Sequence, residues 1–161
     1  MWLGTDELHV MMLNAPSTGG ASNTTTESAK HINMGRYQSA MFLVALGTNG
    51  VTTSNLYMME ASTATAAGQY LATWNYRTSS TATAIGTANA LGSRTAGAST
   101  ALVLASTAET FYVIEVKSDD LTEGYPFVYP SISSAAATRN AVLLAVCRPR
   151  YPQATQLVPN S

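Results

Sequence analysis

The apolar residues of this chain recur with a period of two rather than 3.6, in short runs that end at turn residues. The segment ATWNYRTS (72–79) shows the period most clearly. Trp74 and Tyr76 lie on one face of the extended chain, and Asn75 and Arg77 lie on the opposite face. This pattern is typical of a half-buried antiparallel strand, so we expect both rings to be mostly buried.

Two longer runs, 38–47 and 140–147, are apolar on both faces, as expected of central strands. Periodicity alone would also allow a buried helix in these runs, but the turn residues that follow each of them limit it to strand length. Because 51–62 follows Asn49-Gly50 directly, 38–47 and 51–62 are predicted to form a β-hairpin. Further strand candidates are 100–106, 110–117 and, more weakly, 6–14.

Several short strands with turn signals between them predict an all-β fold, either a sandwich or a barrel. About eight strands in two sheets favour an antiparallel β-sandwich with jelly-roll topology. The Ser/Thr/Ala-rich stretches are expected to be long loops, and 81–100 is either a loop or a pair of irregular edge strands. We predict one domain over 1–148, in which 1–35 is a partly extended N-terminal arm, followed by an extended tail over 149–161.

Charge is the unusual feature of the composition. Charged residues make up 11% of the 161 residues, and the net charge is -1, whereas a typical soluble domain has about 25% charged residues. We therefore expect no nucleic acid partner, since phosphate binding needs clustered basic residues. The apolar runs are shorter than the roughly 20 residues of a membrane span, and the start lacks the basic residues of a secretory signal. Low charge favours a chain that works inside an assembly; the alternative is a neutral extracellular domain.

The candidates for chemistry are few. His9 and His31 have no metal-ligand spacing, and the single Cys147 is predicted to be a small buried hydrophobic residue. The sequence contains no GxSxG elbow and no phosphate loop, so we predict no enzymatic activity and no cofactor. A Ser-His-Asp triad remains an alternative, since its members need not be adjacent in sequence.

An acidic cluster, Asp119, Asp120 and Glu123, lies between two strand-like segments. These acids would be ligands of a calcium ion in one interpretation. In the other, they form a turn in which Ser and Asp side chains bind nearby backbone N–H groups. The cluster lacks a recognisable ligand spacing, so we predict a corner of the fold without a metal.

Three aromatic residues allow a second binding hypothesis. Trp74 and Tyr76, with Tyr70, are candidates for a platform that stacks on a sugar ring. An aromatic stripe on a strand whose opposite face is polar is more often part of the core. The burial of these rings discriminates between the two interpretations.

The C-terminal segment is rich in proline. Because proline cannot donate to a sheet ladder, residues 149–161 are predicted to be extended and to contact another chain. The same hypothesis applies to the N-terminus, where Trp2 is an unusual side chain to leave in water. The candidate partner-binding residues are Trp2, Arg150, Tyr151, Leu157 and Val158.

Four short motifs follow one another in the second half of the chain. They are a strand with a charged centre, an acidic corner, an aromatic strand and a closing motif, here Ile114-Glu115-Val116, Asp119-Asp120-Leu121, Pro126-Phe127-Val128 and Pro149-Arg150-Tyr151. Through these motifs, residues 37–60 and 111–154 resemble a family of small bacteriophage structural proteins, the capsid decoration or cement proteins of tailed phages. The segments 1–35 and 81–100 do not share the resemblance.

The resemblance implies a β-sandwich or jelly-roll fold on the outer surface of a phage head, and often a trimer. The expected function is therefore that of a virion protein that binds the major capsid protein and stabilises the shell, as a homotrimer. The family offers no catalytic residues to carry over. The alternative is a carbohydrate- or receptor-binding β-sandwich of a phage head or tail fibre.

Overall fold

The computed structural model describes residues 8–13, 27–28, 30–46, 54–79, 91–99, 101–104, 110–134 and 141–150. Within these ranges the chain forms strands and one short 3₁₀-helix, Ser118–Asp120. The described part of the chain contains no helix that is long and apolar enough to cross a membrane. The strands are β1 (His9–Met12), β2 (Glu27–Ser28), β3 (Ile32–Asn33), β4 (Tyr37–Leu46), β5 (Ser54–Ala61), β6 (Gln69–Tyr70), β7 (Thr73–Thr78), β8 (Thr95–Ala98), β9 (Leu102–Leu104), β10 (Thr110–Lys117), β11 (Phe127–Ser134) and β12 (Ala141–Pro149).

The strands form two antiparallel sheets that pack against each other. Sheet A has the order β1-β12-β4-β10-β7-β8. Sheet B has the order β2-β11-β5-β6, with β3 also paired to β11 and β9 also paired to β5. The predicted antiparallel β-sandwich is confirmed, whereas the jelly-roll topology stays a prediction.

One core lies between the sheets. The inward side chains of β4 include Phe42 and Val44, and those of β5 include Leu56 and Met58. All of them belong to a single buried cluster with residues of β10, β11 and β12. A period of two along each strand places alternate residues in this cluster, which is why the sequence pattern identified the strands.

The predicted hairpin between 38–47 and 51–62 is wrong, although both segments are strands. β4 lies in sheet A between β10 and β12, whereas β5 lies in sheet B and pairs with β6, β9 and β11. The chain therefore changes sheets between the two strands. Strands β10 and β12, from far along the chain, flank β4 on both sides and leave no edge free for β5.

Proline shapes the edge of sheet B. β3 pairs with Phe127 and Val128 of β11, and β2 pairs with Ser131 and Ile132. The interruption falls at residues 129–130, where Pro130 has no N–H to donate. On the other side of β11, the pairing with β5 continues through Pro130.

The described parts of both predicted extensions belong to the sandwich. In 1–35, β1 is the edge strand of sheet A and β3 lies in sheet B, so neither is part of a separate arm. At the other end, β12 reaches Pro149 through a register shift after Arg148, and Arg150 donates its N–H to the Arg36 carbonyl at 3.0 Å. The ordered sandwich thus extends two residues beyond the predicted boundary at 148.

The segment 81–100 contains one described strand. β8 is the outer edge of sheet A and pairs with β7. This agrees with the edge-strand alternative for 95–98, while residues 80–90 lie outside the described part of the chain.

Candidate interaction surface

The outer face of sheet A is apolar across β1, β12, β4 and β10. Side chains that alternate with the core residues of these strands point away from sheet B. The strand registers align them in rows across the sheet. We call this surface the apolar face; it consists of Val10, Met12, Met41, Leu43, Ala45, Phe111, Val113, Val142, Leu144 and Val146.

Exposure is greatest where the apolar face reaches the edge strand β1. Val10 is 68% exposed and Met12 is 52% exposed, and Val142 on β12 is 37% exposed. Toward the centre of the sheet, Leu43 is half-buried and Val113 is buried by its neighbours. Neighbouring apolar side chains that are exposed or half-buried favour a site of interaction, whereas single exposed apolar residues are normal.

Charged residues border the apolar face. Across the strands β1, β12, β4 and β10, one row consists of Val10, Val146, Met41 and Glu115. The Glu115 carboxylate lies 3.4 Å from Nε of Arg94. In the next row, Lys117 and Arg148 flank Ser39 and are exposed. Arg77 of β7 pairs with Val113 and borders the middle row. The border of the apolar face therefore carries both signs.

The acidic segment 118–124 is a corner between the two sheets. It connects the end of β10 in sheet A to β11 in sheet B. Asp120 Oδ2 accepts a hydrogen bond from the Lys117 N–H at 2.9 Å, and Asp119 accepts one from the Ser118 hydroxyl at 3.1 Å. Gly124 has φ 86°, a conformation that favours glycine. Asp120 thus binds a backbone N–H within the turn, as the turn interpretation predicted, and Asp119 binds the neighbouring side chain.

A buried carboxylate that the sequence analysis did not single out holds this corner. Glu60 is 1% exposed and continues the inward row of Leu56 and Met58. Its Oε1 accepts a hydrogen bond from Gln69 Nε2 at 2.7 Å, and its Oε2 accepts one from the Thr122 N–H at 2.8 Å. Glu60 therefore fastens the corner to sheet B, and the period of two already assigned it to the core face.

The described residues contain no group of three or more His, Cys, Asp or Glu side chains that would hold a metal ion. The absence of a metal at Asp119, Asp120 and Glu123 stays a prediction. Both carboxylate oxygens of Glu60 accept hydrogen bonds from protein donors.

Trp74 is part of the core, as predicted. It is 2% exposed, and its ring lies over Gly97 on the neighbouring strand, where an added Cβ would stand less than 3.0 Å from the indole carbons. Tyr76 is half-buried beside it, with ring centroids 5.6 Å apart, and also packs against the core. The burial of Trp74 confirms the core interpretation for this residue and contradicts the alternative of a sugar platform on these two rings.

Tyr70 has a different neighbour. It is 54% exposed on the outer face of sheet B, and its ring lies 5.1 Å from that of Tyr57, tilted by 34°. The two rings form an accessible aromatic pair on the sheet opposite the apolar face.

His31 packs on the outer side of sheet B. Its ring contacts Tyr129 at 3.9 Å between centroids, and its Nδ1 is hydrogen bonded to the Ala64 carbonyl. The Tyr129 hydroxyl accepts a hydrogen bond from the Gly68 N–H at 3.1 Å. The segment 62–68 and His31 thus cover Tyr129, which explains why this ring is buried on an outer face.

Cys147 is fully buried on the inner face of β12, as predicted for a small hydrophobic residue. Burial raises the pKa of its thiol to about 12. Because the thiolate is the nucleophilic form, this cysteine is unreactive in the folded protein. His9 lies on the neighbouring strand, with its Nδ1 3.0 Å from the Tyr37 hydroxyl.

Of the predicted partner-binding residues, only Arg150 lies in the described part of the chain; Trp2, Tyr151, Leu157 and Val158 lie outside it. Arg150 is exposed, but its guanidinium donates to the Met34 carbonyl at 3.4 Å. Together with its backbone bond to Arg36, this contact attaches Arg150 to its own domain.

The chain matches no known family model, no curated protein and no solved structure.

Proposed function

We propose that this protein is a virion structural protein, a capsid decoration or cement protein that binds the outer surface of a phage head and stabilises the shell. The apolar face on a β-sandwich of low charge is the observation that carries the proposal, because it favours a chain that works in a protein assembly, whichever subunit covers the face. A weakly charged border limits the number of ions that must lose water on contact.

We also infer a jelly-roll topology, which the strand order favours. The chain visits sheet A with β1 and β4 and returns to it with β12, which lies beside β1. In sheet B, β11 likewise returns beside β2 and β3. Late strands that close beside early ones are the mark of nested Greek keys, from which a jelly roll is built.

The mechanism is preferential binding to the assembled shell. A ligand that binds only the assembled state stabilises that state by mass action. Many copies on a symmetric shell convert a modest affinity for the major capsid protein into avidity. In this proposal the chain ends, with Trp2, Arg150, Tyr151, Leu157 and Val158, supply contacts to the capsid.

Particle association tests the proposal. Virions of the phage that encodes this chain should carry it in a fixed stoichiometry to the major capsid protein, measured by quantitative mass spectrometry. Shells that lack the protein should regain thermal stability when it is added back. A chain that is absent from purified virions, or that leaves the melting temperature of bare shells unchanged, contradicts the proposal.

The second candidate function is carbohydrate or receptor binding, and the pair Tyr57–Tyr70 favours it. Two accessible rings tilted by 34° offer a surface on which a sugar ring can stack. Tyr70→Ala should then abolish binding on a glycan array, whereas Val103→Ala, at another exposed position on the same face of sheet B, should not. Absence of glycan binding by the wild type removes this candidate.

A further inference from the structure

The apolar face lies on the side of sheet A that does not face sheet B. The core lies on the other side of sheet A, where Phe42, Ile114 and Leu143 are buried against sheet B. A strand that only had to cover this core would carry polar residues on its outer side. β4 and β12 instead carry apolar side chains on both sides, so their outer side is built for a second contact.

We propose that the apolar face is the surface through which copies of this chain bind one another. The inference rests on the proposed function for its expectation of several copies in contact, and it names the surface that joins them. The apolar face then forms the centre of a homo-oligomeric interface, and the residues at its border form the rim.

The size of the surface fits this assignment. Four strands spaced by about 4.8 Å and three rows of side chains spaced by about 6.8 Å cover roughly 400 Å². A stable interface buries about 800 Å² on each partner, with an apolar centre and a polar rim. The apolar face supplies about half of that area, and the charged border described above supplies the rim.

The charges at the border favour a second copy over a strongly charged partner. Lys117, Arg148 and Arg77 are basic, Glu115 is acidic, and the acidic corner follows Lys117 directly in the chain. A border that carries both signs is able to complement its own copy, as a contact between identical subunits requires. An acidic or a basic partner would find only part of the border complementary.

The edge strand β1 is a second reason to expect contact between copies of this chain. Among the described strands, β1 pairs with β12 alone, and its exposed side chains Val10 and Met12 carry no charge. Natural sheets protect open edges with charges, prolines or very short strands. β1 is short, with four residues, but it carries no acidic residue, lysine, arginine or proline. Contact with another copy covers this edge together with the apolar face.

The test is the mass of this chain in solution, measured by sedimentation velocity at about 1 to 100 µM. This range detects self-association with a Kd of about micromolar strength. We expect a single oligomer at the upper concentrations. Val10→Glu and Met12→Glu should each weaken association by at least about tenfold in Kd, because a buried unpaired carboxylate is costly in an interface.

The matched control is Val103→Glu, since Val103 is 62% exposed on the outer face of sheet B. It should leave the mass unchanged. Circular dichroism and the melting temperature at 1 µM show whether Val10→Glu and Met12→Glu still fold.

Three outcomes overturn the proposal. A wild type that is monomeric at 100 µM shows that the apolar face is covered by this chain's own remaining residues or by a foreign partner. Folded Val10→Glu and Met12→Glu variants that associate like the wild type place the interface elsewhere, as does a loss of association in Val103→Glu alone. Because particle association is measured separately, either proposal can fail while the other holds.

Discussion

Removing the Glu60 carboxylate should destabilise the protein far more than removing any surface acid. Glu60 is almost fully buried and accepts hydrogen bonds from Gln69 and from the Thr122 backbone. A hydrogen bond to a charged group contributes about 1.5–3 kcal/mol. In Glu60→Ala both donors lose their acceptor, and a cavity remains, so we expect a loss of about 3–5 kcal/mol in the free energy of unfolding.

Glu60→Gln removes the charge of the side chain but keeps its shape. The amide oxygen still accepts one hydrogen bond, but the amide NH₂ then faces the other donor. We expect a loss of about 1–3 kcal/mol. Glu115→Gln is the matched control, because Glu115 is 42% exposed and its ion pair with Arg94 lies at the surface. That change should cost less than about 1 kcal/mol.

Urea denaturation at equal chain concentration measures these differences, with the slope of the transition showing whether two-state behaviour is kept. Hydrogen exchange adds a local measurement, because the Thr122 amide should lose protection in both Glu60 variants. If Glu60→Ala is as stable as Glu115→Gln, the carboxylate does not fasten the corner, and our account of this part of the fold is refuted.

The packing of Trp74 over Gly97 predicts that Gly97→Ala lowers the free energy of unfolding by about 1–3 kcal/mol in urea, since overpacking displaces the indole ring. Gly92→Ala, whose added Cβ would have its nearest neighbour at 3.4 Å, should change it by less than about 0.5 kcal/mol, and equal effects would contradict this account. Cys147 should resist a thiol reagent until the protein unfolds. Because burial raises its pKa from 9.0 to about 12, the folded state holds its proton longer, and stability should fall as the pH rises between these values; a rise in melting temperature over that range would contradict it. A truncation after Arg150 should keep the melting temperature of the full chain, since Arg150 is bound to the domain, and should bind shells less well; unchanged shell binding would show that the tail is dispensable.

The alternation of side chains was enough to locate most strands, because it is a local property of an extended chain. Trp74 and Tyr76 against Asn75 and Arg77 predicted β7 and the burial of Trp74. The same period assigns Glu60 to the core face, beside Leu56 and Met58. The turn at 118–124 was also predictable, since Asp and Ser side chains bind backbone groups within a few residues.

The tertiary structure decided which strands pair and which faces of the sheets are buried. The Asn49-Gly50 signal favoured a hairpin, but β4 took β10 and β12 as neighbours, and no local pattern encodes such distant partners. Runs that are apolar on both sides, 38–47 and 140–147, predicted central strands. In the described part of the chain, sheet B covers one of those sides, and the other side is the apolar face. The sequence shows that a side chain is apolar. Only the folded structure shows whether residues of the same chain cover that side chain or another molecule must do so.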